Sequence, residues 1–145
     1  MKLKVFICLP MKGRSDKEIQ RNIKKYERIF TQILKADGYH EKNIKFINNF
    51  IKYPHNLSEN NFRLMCCSMG LLTKMIPADI ICFGEDWSKS RGCLVEAVAA
   101  TAYHKNIYAI KDIGEDGTIN VIRDIVFRYT LMDSIADFLK GGDIK

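Results

Sequence analysis

The sequence has no apolar run near the roughly 18 residues that a membrane-spanning helix needs, no Cys-x-x-Cys pair, and no two histidines three or four apart. The first absence excludes a spanning helix. The others leave no zinc pattern, and His40, His55 and His104 are too scattered to predict any metal site. Five cysteines, an odd number and mostly inside apolar runs, give no disulfide framework, so a reducing cytoplasm is the expected location. The opening residues place charge before an apolar run too short for a signal segment, which meets Pro10 at once. Internal repeats, low-complexity tracts and linkers are also missing, and 145 residues with 47% apolar content make one domain. Neither a Walker loop nor a GxGxxG fingerprint occurs. Lys and Arg number 23 against 17 Asp and Glu, a net charge of +6 that favours anionic partners without choosing among them.

What is present alternates between two periods. Residues 2–9 form a continuous apolar run with β-branched and aromatic members, predicting a strand buried on both faces. Ser15 followed by Glu18 makes a capping box. Ile19, Ile23, Tyr26, Ile29, Phe30, Ile33 and Leu34 then recur at helical spacing as far as Asp37-Gly38. Residues 44–47 predict a short strand, and a polar loop with Asn49 and Pro54 leads to Ser58, the expected cap of a helix carrying Phe62, Met65, Met69, Leu72 and Met75. Residues 78–84 and 106–110 predict strands, and residues 92–103 a helix of small side chains. Residues 119–139 show a helical pattern through Ile122, Ile125, Val126, Tyr129, Met132, Ile135 and Leu139, closed by Gly141-Gly142. This order predicts an α/β fold: a single-domain, flavodoxin- or Rossmann-like open parallel sheet of about four to five strands, flanked by helices.

In such sheets ligands sit beyond the carboxyl ends of the strands, which directs attention to two loops. The first is Leu9-Pro10-Met11-Lys12-Gly13-Arg14. Backbone N–H groups at a helix start, with two cations, suit a phosphate or carboxylate; the same residues also read as a simple turn shaped by Pro10 and Gly13. The second runs through Asp86, Trp87, Ser88, Ser90, Arg91 and Gly92 into a helix that carries Glu96 in its first or second turn. A helix amino terminus is expected to keep that carboxylate ionised, and an ionised carboxylate can attack an anomeric carbon whose leaving group is a nucleobase. Charge complementarity at the helix end is the plainer reading of Glu96. Trp87 suits either base stacking or an aromatic lid over the core. Cys93 lies where a helix terminus can lower a thiol's pKa, with no histidine tied to it. Arg14, Lys17, Arg21, Lys24, Lys25 and Arg28 make the helix after Ser15 basic with no aromatic stacking set among them, which favours a solvated face over nucleic-acid binding.

Leu9-Pro10-Met11-Lys12-Gly13, Ala78-Asp79 entering an apolar strand, Trp87, and Ser90-Arg91-Gly92-Cys93 followed by Glu96 resemble the small bacterial and phage branch related to nucleoside 2-deoxyribosyltransferases. The wider superfamily includes 2-deoxynucleoside 5-phosphate N-hydrolases, and the likeness covers about residues 3–110. It implies that Glu96 is the nucleophile and that Asp79 contacts the nucleoside and protonates the departing base. Ser90 matches the serine of the phosphate-binding hydrolases, where the transferases carry an aspartate, so the implied ligand is a 5-phosphate. Ser88, Ser90, Arg91 and Gly92 with the loop of residues 9–14 would hold it, and Trp87 would lie against it. Two positions depart from the pattern: Phe6 stands where the relatives have a tyrosine, and the segment from Asp79 to Ser90 is short, which makes Glu85 or Asp86 the alternative second carboxylate. The implied activity is hydrolysis or transfer at the N-glycosidic bond of a nucleoside 5-monophosphate. The alternative is a catalytically silent protein that senses or sequesters a nucleotide immune signal, cyclic or ADP-ribose-derived, as a phage anti-defence sponge would. Either way the expected partner is a small nucleotide or nucleoside, with no cofactor and no metal, in a homo-oligomer (dimer or larger) that engages neither nucleic acid nor membrane.

Overall fold

The first strand, β1 (Leu3–Cys8), sends Val5 and Ile7 to one face of a sheet and Phe6 and Cys8 to the other, and all four are buried. This period of two divides the protein into two cores. The structure, a computed structural model, describes residues 2–48, 50–52 and 56–141; Asn49, Pro54, His55 and Gly142 lie outside these. With β2 (Ile44–Phe46), β3 (Ile80–Phe83), β4 (Asn106–Ile113) and β5 (Ile119–Ile122), the five-stranded sheet has the order β2-β1-β3-β4-β5. Its pairings are parallel from β2 to β4 and antiparallel between β4 and β5. Strand order reverses across β1 and β3, and a crevice at the carboxyl ends follows from that reversal.

Helix α1 (Asp16–Ala36) covers one face, setting Tyr26, Phe30 and Leu34 against Val5, Ile7, Ile80, Cys82, Tyr108 and Ile110. Its start carries the serine half of the expected capping box: Ser15 Oγ accepts the Glu18 N–H at 3.2 Å, and the Glu18 carboxylate turns back to accept from the Ser15 hydroxyl at 3.2 Å. Helices α2 (Glu59–Met69), α3 (Arg91–Ala102) and α4 (Asp124–Leu139) occupy the other side, with α3 packed between its two neighbours. Ala97 and Ala100, both fully buried, bring α3 close to the sheet. Among the described residues no helix is long and apolar enough to cross a membrane.

The last quarter of the chain departs from its periodicity. Residues 119–122 form the antiparallel edge strand rather than the first turn of a helix. A hairpin closed by Gly114 N–H to Thr118 O at 2.7 Å returns the chain along β4, so ladder hydrogen bonds replace helical ones. The helix begins only at Asp124, whose own left-handed φ of +53° breaks it from the extended Arg123. Ile119, Ile122 and Ile125 happen to keep a three-residue spacing across that break, which is why the two elements read as one. Arg123 pins the junction, with Nη1 donating to Asp37 Oδ2 at 3.1 Å, Nη2 to Asn106 Oδ1 at 2.8 Å, and its plane over the Tyr108 ring. Within α4 the buried side chains are Phe127 and Leu131, whereas Ile125, Val126, Tyr129, Met132 and Leu139 are exposed.

Candidate functional site

At the reversal of strand order, a cavity of about 320 Å³ opens between the end of β1, the length of α2 with the turn that continues it, and the amino-terminal half of α3. Phe6 and Cys8 reach it because they sit on the α3 face of β1. Ser90 fixes the start of α3, its Oγ accepting the Cys93 N–H at 3.4 Å. Six residues beyond that cap, helical geometry turns Glu96 back toward β1. The chain then closes over it. Helix α2 continues into a π-helical turn, Gly70–Met75, and a Cβ on Gly70 would lie 3.2 Å from Glu96 Oε2 and 3.4 Å from the tip of Phe6. Only glycine lets that backbone approach the carboxylate so closely without displacing it.

Glu96 is 8% exposed and accepts one hydrogen bond, from Cys8 Sγ to Oε2 at 3.4 Å. No ion pair engages it among the described residues. Burial therefore pushes its carboxyl up from 4.5 to about 7, with the Cys8 thiol pulling weakly the other way. The expectation that the helix terminus holds Glu96 ionised is thus corrected: desolvation outweighs the helix dipole, and the side chain is poised to change charge near neutrality. The reactive-thiol reading of Cys93 is corrected on the same ground, since burial drives its thiol well above the ordinary range.

Above this floor the lining is cationic. Lys12, Arg63, Lys74 and Arg91 border the cavity, and among the described residues Glu96 is the single carboxylate in its lining. Arg91 Nη2 donates to Asn60 Oδ1 at 2.8 Å, and the Arg63 guanidinium lies over the Phe62 ring. The surface thus offers apolar walls, several positive donors and one buried acid that exchanges its proton near pH 7. Such a combination suits a small organic anion.

Leu9, Met11, Lys12, Ser90, Arg91, Gly92 and Glu96 are brought together around this one space, so both loops face a shared cavity. Pro10, Gly13 and Arg14 belong to the same first loop but lie outside the lining, and the Gly13 N–H is taken by Glu59. Asp79 is not brought in. It precedes β3 at the amino end of the sheet, where its Oδ2 accepts the Lys4 N–H at 2.8 Å and its own N–H donates to Lys4 O. The four residues of β3 separate it from the cavity, about 13 Å of extended chain. Asp86 is exposed at φ +65°, outside the lining, and the neighbouring Glu85 N–H donates to the Tyr26 hydroxyl oxygen on the opposite side of the sheet. Ser88 also lies outside the lining. Trp87 is buried beneath the loop, its ring 5.6 Å from Phe83 and 4.9 Å from Phe127, so it is the lid over the core and not a base-stacking surface.

Sequence reasoning missed Cys8, Arg63 and Gly70. Cys8 was legible in principle, because it shares the face of Phe6 two residues earlier. Arg63 and Gly70 reach the site only through the docking of α2 on α3, which no local pattern announces. Cys8 holds the position from which a donor orients Glu96. Cys8→Ser, whose hydroxyl is the stronger donor, is expected to move the Glu96 midpoint down by about one pH unit and Cys8→Ala to move it up. A carbon-13 NMR titration of the glutamate carboxyl groups reads both shifts, and identical midpoints in the two variants would show that the thiol has no part in it. In comparisons with family models, curated proteins and solved structures, the chain matches none.

Proposed function

We propose that the cavity binds a deoxynucleoside 5′-monophosphate and that Glu96 attacks its anomeric carbon. The observation that carries this reading is a buried carboxylate on the floor of a cavity whose described lining holds four cationic side chains, and burial raises that carboxyl. The volume of about 320 Å³ lies at the small end of ligand sites, which begin near 300 Å³. An ionised Glu96 oxygen forms a bond to C1′ as the C1′–N bond breaks, and its electron pair leaves with the base, which takes a proton from solvent. Water then cleaves the glycosyl ester, releasing deoxyribose 5-phosphate and restoring Glu96. Because the nucleophile must be ionised, turnover rises with pH through about 7.

A second reading, binding without turnover, is favoured by two observations. Among the described residues the cavity lining holds no second carboxylate to protonate the base, and Phe6 offers Glu96 no hydroxyl. Incubation with each of the four common deoxynucleoside 5′-monophosphates, followed by chromatography of free base, separates the two. Base released by wild type and not by Glu96→Ala supports the enzyme. No release from any of them removes it, and recovery of intact nucleotide from a saturated, then denatured sample would establish sequestration.

A further inference from the structure

The first turn of α2 reaches over both loops at once. Glu59 Oε1 accepts the Gly13 N–H at 2.6 Å, and the next residue, Asn60, accepts from Arg91 through Oδ1 at 2.8 Å. Gly13 belongs to the loop after β1, next to Lys12 at the cavity's edge, and Arg91 to the start of α3, within the lining. Two side-chain oxygens from the first turn of α2 therefore already engage a backbone donor and a guanidinium donor at this end of the cavity. One turn further along, the Arg63 side chain is 12% exposed and its Nε is buried without a hydrogen-bond partner, since the Glu59 carboxylate stands 3.9 Å away. A buried guanidinium N–H left unpaired is costly, so this wall of the cavity lacks one acceptor. Gly13 adopts φ +79°, with nothing within 4 Å of the place a Cβ would occupy, so the turn that presents its N–H is one that glycine takes without strain.

We infer that Glu59 is an internal stand-in for the ligand's phosphate: an entering phosphomonoester displaces its carboxylate from Gly13 and supplies the acceptor that Arg63 lacks. The inference rests on the nucleotide reading of the cavity and adds the regulation of its affinity by α2. The carboxylate opposes the ligand in two ways, by holding the donor and by repelling a second negative charge. A site whose competent form must first release an internal competitor binds more weakly by the fraction that is released. Neutralising the competitor without changing its shape should therefore tighten binding.

Calorimetric titration of wild type, Glu59→Gln and Glu59→Ala with inorganic phosphate, a deoxynucleoside and its 5′-monophosphate tests this. Glu59 is partly exposed in the first turn of its helix, so both variants are expected to fold. The expected result is about tenfold tighter binding of the monophosphate by Glu59→Gln, more by Glu59→Ala, and unchanged binding of the nucleoside. Equal or weaker monophosphate binding in both variants overturns the stand-in while leaving the nucleotide reading intact. Tightening of nucleoside and monophosphate alike also overturns it, because Glu59 would then be a general obstruction. Tightening for inorganic phosphate alone keeps the stand-in and makes free phosphate the occupant in place of a nucleotide. Absence of phosphate or monophosphate binding in all three proteins removes both proposals.

Discussion

Glu96→Gln is expected to abolish base release, by about a thousandfold or more, and at pH 9 to make the protein more stable than wild type by about 3 kcal/mol. The two effects have one cause. A buried carboxylate with a single thiol donor is held in a place where its charge is costly, and its carboxyl is raised from 4.5 to about 7. Between those values the folded protein retains a proton that the unfolded chain has lost, so stability falls as pH rises from 4.5 and levels off above about 7. Glutamine is permanently neutral and escapes that loss. Other groups titrate over the same range, but they are common to both proteins and cancel in the difference. At pH 4.5 the two should be nearly equal, whereas at pH 9 the variant should melt roughly 10 °C higher, given about 2–4 °C per kcal/mol for a domain of this size. Calorimetric melting at the two pH values checks this. A gap that does not change with pH would mean that Glu96 is charged throughout and that its burial is compensated by something other than Cys8.

The part of the fold that could be read from the sequence is the part where one local signal had one interpretation. The run from Leu3 to Cys8, buried from Val5 onward, could only be a central strand, and the Ser15 and Glu18 pair marked the start of α1 to within a residue. Residues 119–139 were ambiguous because helical spacing persists across a strand and a helix, and because α4 is apolar on faces it does not bury. Ile125, Val126, Tyr129 and Met132 fit the expected stripe yet are exposed, while Phe127 and Leu131 make the contacts. The site divides in the same way. Glu96 and the loop after β1 lie at positions that sheet topology brings together, so their juxtaposition followed from the fold class. Asp79 failed by a matter of direction: a residue before a parallel strand lies at the end opposite the ligand, however close it stands in sequence to the loop that follows. The roles of Arg63, Asn60 and Gly70 depend on how a helix docks, which is decided by packing between elements and not within them.

The same distinction makes Trp87 the position where a core substitution should cost most. Its ring is 2% exposed, packs against both Phe83 and Phe127, which also stack on each other, and anchors the short turn Trp87–Lys89 that delivers Ser90 to the start of α3. Truncating a buried tryptophan removes its transfer free energy and leaves a cavity, so Trp87→Ala is expected to lose about 3–5 kcal/mol of stability in urea denaturation. Trp87→Phe, which keeps an aromatic contact with Phe127, should lose far less. A base-stacking tryptophan would behave in the opposite manner: its loss would weaken ligand binding and scarcely touch stability. Since Trp87 is the protein's sole tryptophan, its fluorescence discriminates independently. Emission should be blue-shifted in the folded protein, shift red only on unfolding, and remain unquenched when a nucleotide saturates the cavity. Strong quenching by the ligand at native pH would place the indole in the site and overturn its assignment to the core. If the assignment holds, any loss of affinity in Trp87→Ala must pass through the Ser90 cap and should fall in proportion to the helix start that has been loosened.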